Sequence, residues 1–192
     1  MPGSRNSRFA SLHDVELCTH AATGERRAFG ELVRRHGSAV RGVLRRMGAQ
    51  PAEADDVAQD AFLTAFERIA EFRGDGTFAA WVKKIAARLY LRRLQRDRKL
   101  GAMTAEAVED EADARSSDAD AAIDLEEALK VLSSVERLCV SMCFGAGLSH
   151  SEAAEALNLP LGTVKSHVKR GLDKLRERMA PTGGQTGSRA HG

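Results

Sequence analysis

The sequence predicts an all-α protein made of two small helical domains joined by a flexible acidic linker. Residues that favour helices, namely Ala, Leu, Glu and Arg, are abundant, and aromatic residues make up only 5% of the chain. Apolar residues recur at intervals of three and four in two separate blocks, as expected for amphipathic helices. The stretch between the blocks is rich in Ala, Asp and Glu and nearly lacks large apolar side chains.

Length and composition exclude several classes of protein. A chain of 192 residues is too short for a barrel enzyme and fits one domain or two small ones. We expect a cytoplasmic protein without membrane insertion, because no long uncharged apolar run occurs and the first ten residues have no apolar core. The cysteines Cys18, Cys139 and Cys143 are odd in number, which favours reduced thiols over a disulfide framework.

The charges are segregated along the chain. Residues 101–130 carry ten acids and two basic residues, a net charge of −8, so the rest of the chain carries +10. The basic surplus is concentrated in residues 83–99 and 165–178. Two basic helices separated by an acidic connector suggest two modules that contact a polyanion, although solvated helix faces would give the same pattern.

In the first block the pattern predicts four helices. Residues 1–24 are expected to form a polar tail and a short helix from about Ser11 to Gly24. A long amphipathic helix is predicted from Glu25 to Met47, and a further one from about Ala52 to Phe72. Thr77 is predicted to cap the next helix, in which an apolar stripe contains Phe78, Val82, Ile85 and Leu89.

The second block, residues 122–180, predicts a helix-turn-helix unit. Two capping boxes, Ser133 with Glu136 and Ser149 with Glu152, mark helix starts. The expected core stripes contain Val135, Leu138, Cys139 and Met142 in the first of these helices and Leu161, Val164, Val168, Leu172, Leu175 and Met179 in the last. We expect the linker, residues 101–121, and the tail, residues 181–192, to be disordered.

Three stretches carry a resemblance to a known family: AFGELVRRHGSAV, EADDVAQDAFLTAFERIAEFRGDGTFAAWVKKIA and LSHSEAAEALNLPLGTVKSHVKRGLDKLRERM. The chain resembles a bacterial RNA polymerase sigma factor of the extracytoplasmic-function (ECF) group. The resemblance places region 2, a helical bundle, at residues 25–100 and region 4, the helix-turn-helix, at 122–180. It implies a non-catalytic specificity subunit without cofactor or metal, whose partners are the polymerase core, promoter DNA and a separate anti-sigma factor.

The resemblance also implies site residues. The acidic segment after Pro51 would engage the clamp helices of the β′ subunit, and the β subunit would be a further contact. Physically, carboxylates and an amide on one helical edge suit a basic partner helix. The expected core-binding residues are Asp55, Asp56, Gln59, Asp60, Phe62 and Phe66.

Two DNA-binding sets follow from the same resemblance. An exposed ring stacks on unpaired bases while cations hold phosphate, which suits strand separation at the minus-10 element. The expected minus-10 residues are Phe72, Phe78, Trp81, Lys83, Lys84, Arg88 and Arg92. The expected minus-35 residues are Thr163, Lys165, Ser166, His167, Lys169 and Arg170, and His167 stands where relatives usually carry Arg.

The residues also allow alternative functions. Cys139, Cys143 and His150 could form a zinc or redox site, but both cysteines lie on or beside a core stripe. The linker carboxylates have no companion nucleophile and nothing to hold them at a catalytic distance. A dimeric helix-turn-helix regulator with residues 1–100 as a sensor, or an adaptor that binds an acidic protein, would also carry basic helices.

Overall fold

The computed structural model describes residues 7–104, 125 and 127–179, and within these ranges it contains helices and turns but no strand. This confirms the predicted all-α fold. The helices of the first block are α1 (Ser7–Ala10), α2 (Asp14–Ala22), α3 (Arg26–Met47), α4 (Pro51–Glu67), a 3₁₀ turn (Ile69–Glu71) and α5 (Phe78–Thr104). Those of the second block are α6 (Ser134–Val140), which continues as a π-helical turn (Ser141–Gly145), α7 (His150–Leu157) and α8 (Leu161–Met179).

Helix ends follow the expected chemistry. The hydroxyl of Thr77 accepts a hydrogen bond from the backbone N–H of Ala80 at 3.1 Å, so the predicted cap of α5 is present. Both predicted capping boxes also form, at Ser133 for α6 and at Ser149 for α7. The short first helix is the main difference, since the chain there divides into α1 and α2.

The linker and tail predictions concern residues that are mostly outside the described part of the chain. Residues 105–124 and 180–192 are not described. Helix α5 runs to Thr104, so it passes the predicted start of the linker at residue 101.

The core of the first block surrounds α3. Leu32, Val40, Val43 and Leu44 of this helix are fully buried, and α2, α4 and α5 pack around it. The buried face of α4 consists largely of alanines, which let its backbone approach its neighbours closely. This packing turns the opposite face of α4, with its carboxylates, toward solvent.

Three residues assigned to core stripes are instead exposed. Val135 is 38% exposed, Leu161 is 40% exposed and Met179 is 64% exposed. Each lies in the first or last turn of its helix, where the apolar stripe extends past the neighbouring helix. The inner members of both stripes, including Cys139, Met142, Val164 and Val168, are buried as predicted.

The two blocks pack against each other at the end of α3. The guanidinium of Arg137 donates to the carbonyl oxygens of Arg45 and Arg46, each at 2.9 Å, and the Ser141 hydroxyl donates to Arg46 O at 2.9 Å. The last carbonyl groups of a helix lack N–H partners within the helix and carry partial negative charge. A guanidinium donates hydrogen bonds to these oxygens and also compensates their charge. The second block therefore caps a helix of the first.

Candidate protein-docking cleft and nucleic-acid interface

The acidic edge of α4 is exposed. Asp55, Asp56, Gln59 and Asp60 all face solvent, while Val57 between them is buried. Two ion pairs at this edge are long: Arg41 Nε lies 3.5 Å from Asp55 Oδ1, and Arg93 Nη1 lies 4.0 Å from Asp56 Oδ2. Exposed pairs of this kind contribute little to stability, so these carboxylates are free to contact a partner.

A cleft of about 580 Å³ lies beside this edge, between α3 and α4. The buried Phe62 and the half-buried Phe66 belong to its apolar lining, and Asp55 and Gln59 belong to its rim. The structure thus brings four of the six expected core-binding residues around one cavity. The lining residues are Arg26, Phe29, Val33, Arg41, Asp55, Ala58, Gln59, Phe62, Leu63 and Phe66.

Leu63 is a member of this cleft that sequence reasoning missed. Its side chain is 56% exposed, an unusual position for a leucine in a helix with a well-packed core face. The available signal was its place outside the fourfold stripe of Val57, Ala61 and Ala65. An apolar residue that the core does not need is available to a partner.

Three aromatic side chains form a cluster at the start of α5 and in the loop before it. The ring centroids of Phe72 and Trp81 are 5.5 Å apart, and each lies 5.9 Å from the ring of Phe78. Phe78 is only 1% exposed, so in this conformation its ring packs against the other two rings and is not accessible to a base. Phe72 and Trp81 are half-buried.

Lys84, Arg88 and Arg92 recur every four residues along α5 and share the helix face of Trp81, whereas Lys83 lies on the opposite side of the helix. Arg88 and Arg92 are exposed, while Lys83 and Lys84 are half-buried. Lys84 Nζ lies 3.4 Å from both carboxylate oxygens of Glu152 in α7, and Arg88 Nη2 lies 3.2 Å from Glu152 Oε1. Hydrogen bonding from the backbone N–H of Ser149, together with the charge of Lys84, lowers the pKa of the Glu152 carboxyl below its ordinary value.

A second polar contact joins α5 and α7. The side-chain amide of Gln95 donates to the carbonyl oxygen of Ala156 at 3.1 Å. Sequence reasoning did not find the pairing of α5 with α7, because the residues involved are more than sixty positions apart. Together with the contacts of Lys84 and Arg88 with Glu152, this bond shows that two of the expected minus-10 cations contact the helix-turn-helix unit in this conformation.

In the helix-turn-helix, the turn between α7 and α8 places Asn158 at φ +53° before Pro160. Burial of Val164 and Val168 leaves Lys165, Ser166, Lys169 and Arg170 exposed, with Thr163 and His167 half-buried. The hydroxyl of Ser166 donates to Gly162 O at 2.9 Å, a bond within its own helix. The expected minus-35 residues thus share one accessible surface of α8.

The buried carboxylate of Glu136 in α6 contacts cationic side chains of α8. Glu136 is 4% exposed and accepts from Lys174 Nζ at 2.7 Å and from the backbone N–H of Ser133 at 3.1 Å. Arg170 Nε lies 3.7 Å from its other oxygen. The hydrogen bond from Lys174 is the main reason that the pKa of this carboxyl lies below its ordinary value.

The cysteines lie in apolar surroundings. Burial raises the pKa of Cys139 to about 11 and also raises the pKa of Cys143, while the pKa of Cys18 is raised to about 12. Thiols with such values stay protonated and react slowly. Within the described ranges, no group of three His, Cys, Asp or Glu residues is placed to hold a metal ion.

In the part of the chain that the structure describes, no helix has both the length and the apolar character needed to cross a membrane.

Two family models match the chain. The model described as Sigma-70 region 2 matches residues 32–100, and the model described as Sigma-70, region 4 matches residues 128–177. The first match contains the acidic edge of α4 and the cations of α5. The second contains the helix-turn-helix and the carboxylate of Glu136.

Proteins with similar sequences are named RNA polymerase sigma factors. The RNA polymerase sigma factor NccH of Alcaligenes xylosoxydans xylosoxydans is 32% identical over 172 residues, which cover 84% of this chain and 92% of NccH. The ECF RNA polymerase sigma factor SigM of Mycobacterium tuberculosis is 32% identical over 173 residues, which cover 90% of this chain and 86% of SigM.

Solved structures give the same picture. CnrH, in complex with the cytosolic domain of CnrY, is similar with a TM-score of 0.52 and 29% identity, covering 86% of this chain and 96% of CnrH. The sigma factor RpoE of Bartonella quintana, solved with the anti-sigma factor NepR, has a TM-score of 0.53 over 80% of this chain and 98% of RpoE. At 23% identity the latter likeness shows a common fold alone.

Proposed function

The chain belongs to the ECF group of RNA polymerase sigma factors, and from this premise we propose how its residues divide the work of such a factor. It is an alternative sigma factor that directs promoter-specific transcription. Sigma factors are transcription initiation factors rather than catalysts. Three surfaces of the chain divide the contacts with polymerase and DNA.

The cleft between α3 and α4, with the acidic edge of α4, binds the polymerase core. The observation that supports this most directly is the exposed Leu63, which lies beside Phe66 and next to carboxylates that have only long ion pairs. An apolar centre with a charged rim is the usual anatomy of a protein interface. A basic helix pair such as the clamp helices of β′ fits this chemistry, and the β subunit is a further contact.

Promoter DNA is bound by the other two surfaces. In the first, Phe72 and Trp81 stack on bases of the opened minus-10 element while Lys83, Lys84, Arg88 and Arg92 hold phosphate. In the second, the accessible surface of α8 enters the major groove at the minus-35 element. A recognition helix places its N-terminal turns on base edges. Lys165 and His167 therefore determine the sequence preference, and Lys169 binds phosphate.

A separate anti-sigma protein controls the chain. Support comes from CnrH, which was solved with the cytosolic domain of a second protein, CnrY. Both the polymerase core and an inhibitor of this kind would meet the chain in the cytoplasm.

Reconstitution tests the proposed function. Sigma-free polymerase core is mixed with the full chain and a pool of genomic fragments, and run-off transcripts are sequenced. We expect defined start sites that require the chain, and we expect none with a variant in which Asp56, Gln59 and Asp60 are alanine. Binding of the chain to fragments without any new start site would contradict this function and favour a helix-turn-helix regulator that acts without polymerase.

A further inference from the structure

We propose that Glu136 and Arg170 are positioning residues that hold His167 in one tautomer, with the ring proton on Nε2, so that it reads a hydrogen-bond acceptor on a minus-35 base. The inference rests on the proposed function of α8 as the minus-35 reading helix. It adds a residue of α6, Glu136, to the determinants of sequence preference.

The arrangement begins at a fixed carboxylate. Glu136 is almost fully buried and is held by the backbone N–H of Ser133 and by Lys174. Its second oxygen lies 3.7 Å from Arg170 Nε, and Arg170 Nη2 lies 3.0 Å from Nδ1 of His167. The half-exposed imidazole is therefore connected through one guanidinium to a carboxylate that cannot move freely.

The donor inventory of arginine decides the tautomer. A guanidinium has only N–H donors and remains charged at all ordinary pH values, so Nδ1 of His167 must be the acceptor in this contact. An imidazolium has no lone pair on Nδ1, and the Nδ1–H tautomer would direct one proton at another. The contact therefore selects the neutral ring with its proton on Nε2.

A ring fixed in this way is a donor toward DNA. In the major groove, guanine presents O6 and N7, adenine presents N7 and thymine presents O4 as acceptors, whereas cytosine presents its N4 amino donor. On the strand that the ring faces, an Nε2–H group therefore finds an acceptor on three bases and none on cytosine. His167 is the seventh residue of α8, within the half of a recognition helix that reaches base edges.

Nuclear magnetic resonance of the free full-length chain tests the tautomer. Long-range ¹H–¹⁵N correlations of the imidazole nitrogens are recorded, with His167→Gln to assign the ring. We expect a protonated Nε2 and an unprotonated Nδ1 that accepts a hydrogen bond. In Arg170→Met, Nδ1 should move toward the resonance of a free lone pair and an Nδ1–H fraction should appear. The matched control, Lys169→Met, removes an exposed cation of the same helix that has no part in the proposed arrangement, and should leave the pattern unchanged.

Selection from a randomised minus-35 library by the holoenzyme tests the reading role. We expect one position at which cytosine is disfavoured about three- to tenfold, the range of a single hydrogen bond, and at which Arg170→Met weakens this exclusion. Lys169→Met should lower the affinity of the holoenzyme for DNA without changing the exclusion of cytosine. A wild-type ring with its proton on Nδ1 overturns the proposal, as does an exclusion of cytosine that Arg170→Met leaves intact. Failure of the wild-type holoenzyme to select any motif would instead count against the proposed function of α8, because the tautomer is measured without DNA.

Discussion

Glu152 of α7 lies 3.4 Å from the ammonium of Lys84 in α5, and the same carboxylate lies 3.2 Å from the guanidinium of Arg88. These cations belong to the set proposed to hold phosphate at the minus-10 element. A carboxylate in this place occupies them as a phosphate would, so the observed contact and DNA binding exclude each other. On the proposed function, we therefore expect region 4 to be released from α5 before the minus-10 element is bound.

Replacing Glu152 by glutamine should loosen this contact. Glutamine preserves the capping box of α7, so the helix is kept and only the charge is lost. Since ion pairs this exposed are worth about 1 kcal/mol or less, we expect up to about a fivefold shift toward separated domains. Pulsed electron resonance between spin labels at Arg96 and Arg176 in the free chain measures this shift.

The matched control for that experiment is Glu155→Gln. Glu155 is an exposed glutamate of the same helix, so this change removes an equal charge from α7 outside the contact with Lys84 and Arg88. An equal shift in both variants would show that general charge, rather than the Glu152 contact, holds the domains together.

The docking cleft predicts a strong dependence of core binding on one apolar side chain. Leu63→Ser should weaken binding to polymerase core by about 2 kcal/mol, since hot spots lie at apolar interface centres. Because Leu63 is 56% exposed, the unfolding free energy of the free chain should hardly change. Val15→Ser is the control, because Val15 is 57% exposed but lies on α2, away from the cleft. Equal core affinity of Leu63→Ser and the wild type, measured by titration with labelled core, would place the docking surface elsewhere.

Trp81→Ala should impair promoter opening more than closed-complex formation. Stacking on an unpaired base is available only after strand separation and contributes about 1 to 3 kcal/mol. Permanganate reactivity of minus-10 thymines reports opening, and duplex binding of the holoenzyme reports the closed complex. Since Trp81 also packs against Phe72, the unfolding free energy is measured beside them, and Trp81→Phe should retain part of the opening activity. Equal losses of opening and duplex binding would contradict the stacking role.

Gly171→Ala should destabilise region 4 by about 1 to 2 kcal/mol. A Cβ at this position would lie 2.8 Å from Cγ2 of the buried Val140, and overpacking of this kind outweighs the gain in helix propensity. Gly162→Ala in the same helix has open space around its Cβ and should be neutral or stabilising by up to about 1 kcal/mol. Urea unfolding midpoints compare the two variants, and a more stable Gly171→Ala chain would refute the close packing of α6 and α8.

At acid pH the fold should lose the stabilisation that the ionised carboxylate of Glu31 provides. Hydrogen bonds from Arg34 and Arg35 lower the pKa of this carboxyl from 4.5 to about 2. A group with a lowered folded-state pKa stabilises the fold above its unfolded-state value, and this stabilisation is lost as pH falls from about 4.5 toward 2. We expect Glu31→Gln to reduce the slope of unfolding free energy against pH in that interval by up to about one bound proton. An unchanged slope would mean that Glu31 titrates alike in folded and unfolded chains.

Local structure in this protein was predictable from the order of its amino acids. Capping residues such as Thr77, Ser133 and Ser149 mark helix starts because their side chains bond to backbone groups only two or three positions away. The inner positions of each apolar stripe were also predictable, because the period of a helix decides which residues share a face. The family resemblance, and not the periodicity, singled out Asp56 and Gln59, and both residues lie on the exposed face of α4.

Which helix faces meet was settled by the packing of the folded chain. The contact of Lys84 with Glu152 and the capping of α3 by Arg137 depend on how helices far apart in sequence pack. The same packing buried Phe78, as its place in the apolar stripe predicts, although the family resemblance implies a contact of this residue with DNA. The physical reason is that periodicity specifies the buried face of each helix but not its partner. A partner is chosen by the shape and charge of surfaces that exist only after the helices have formed.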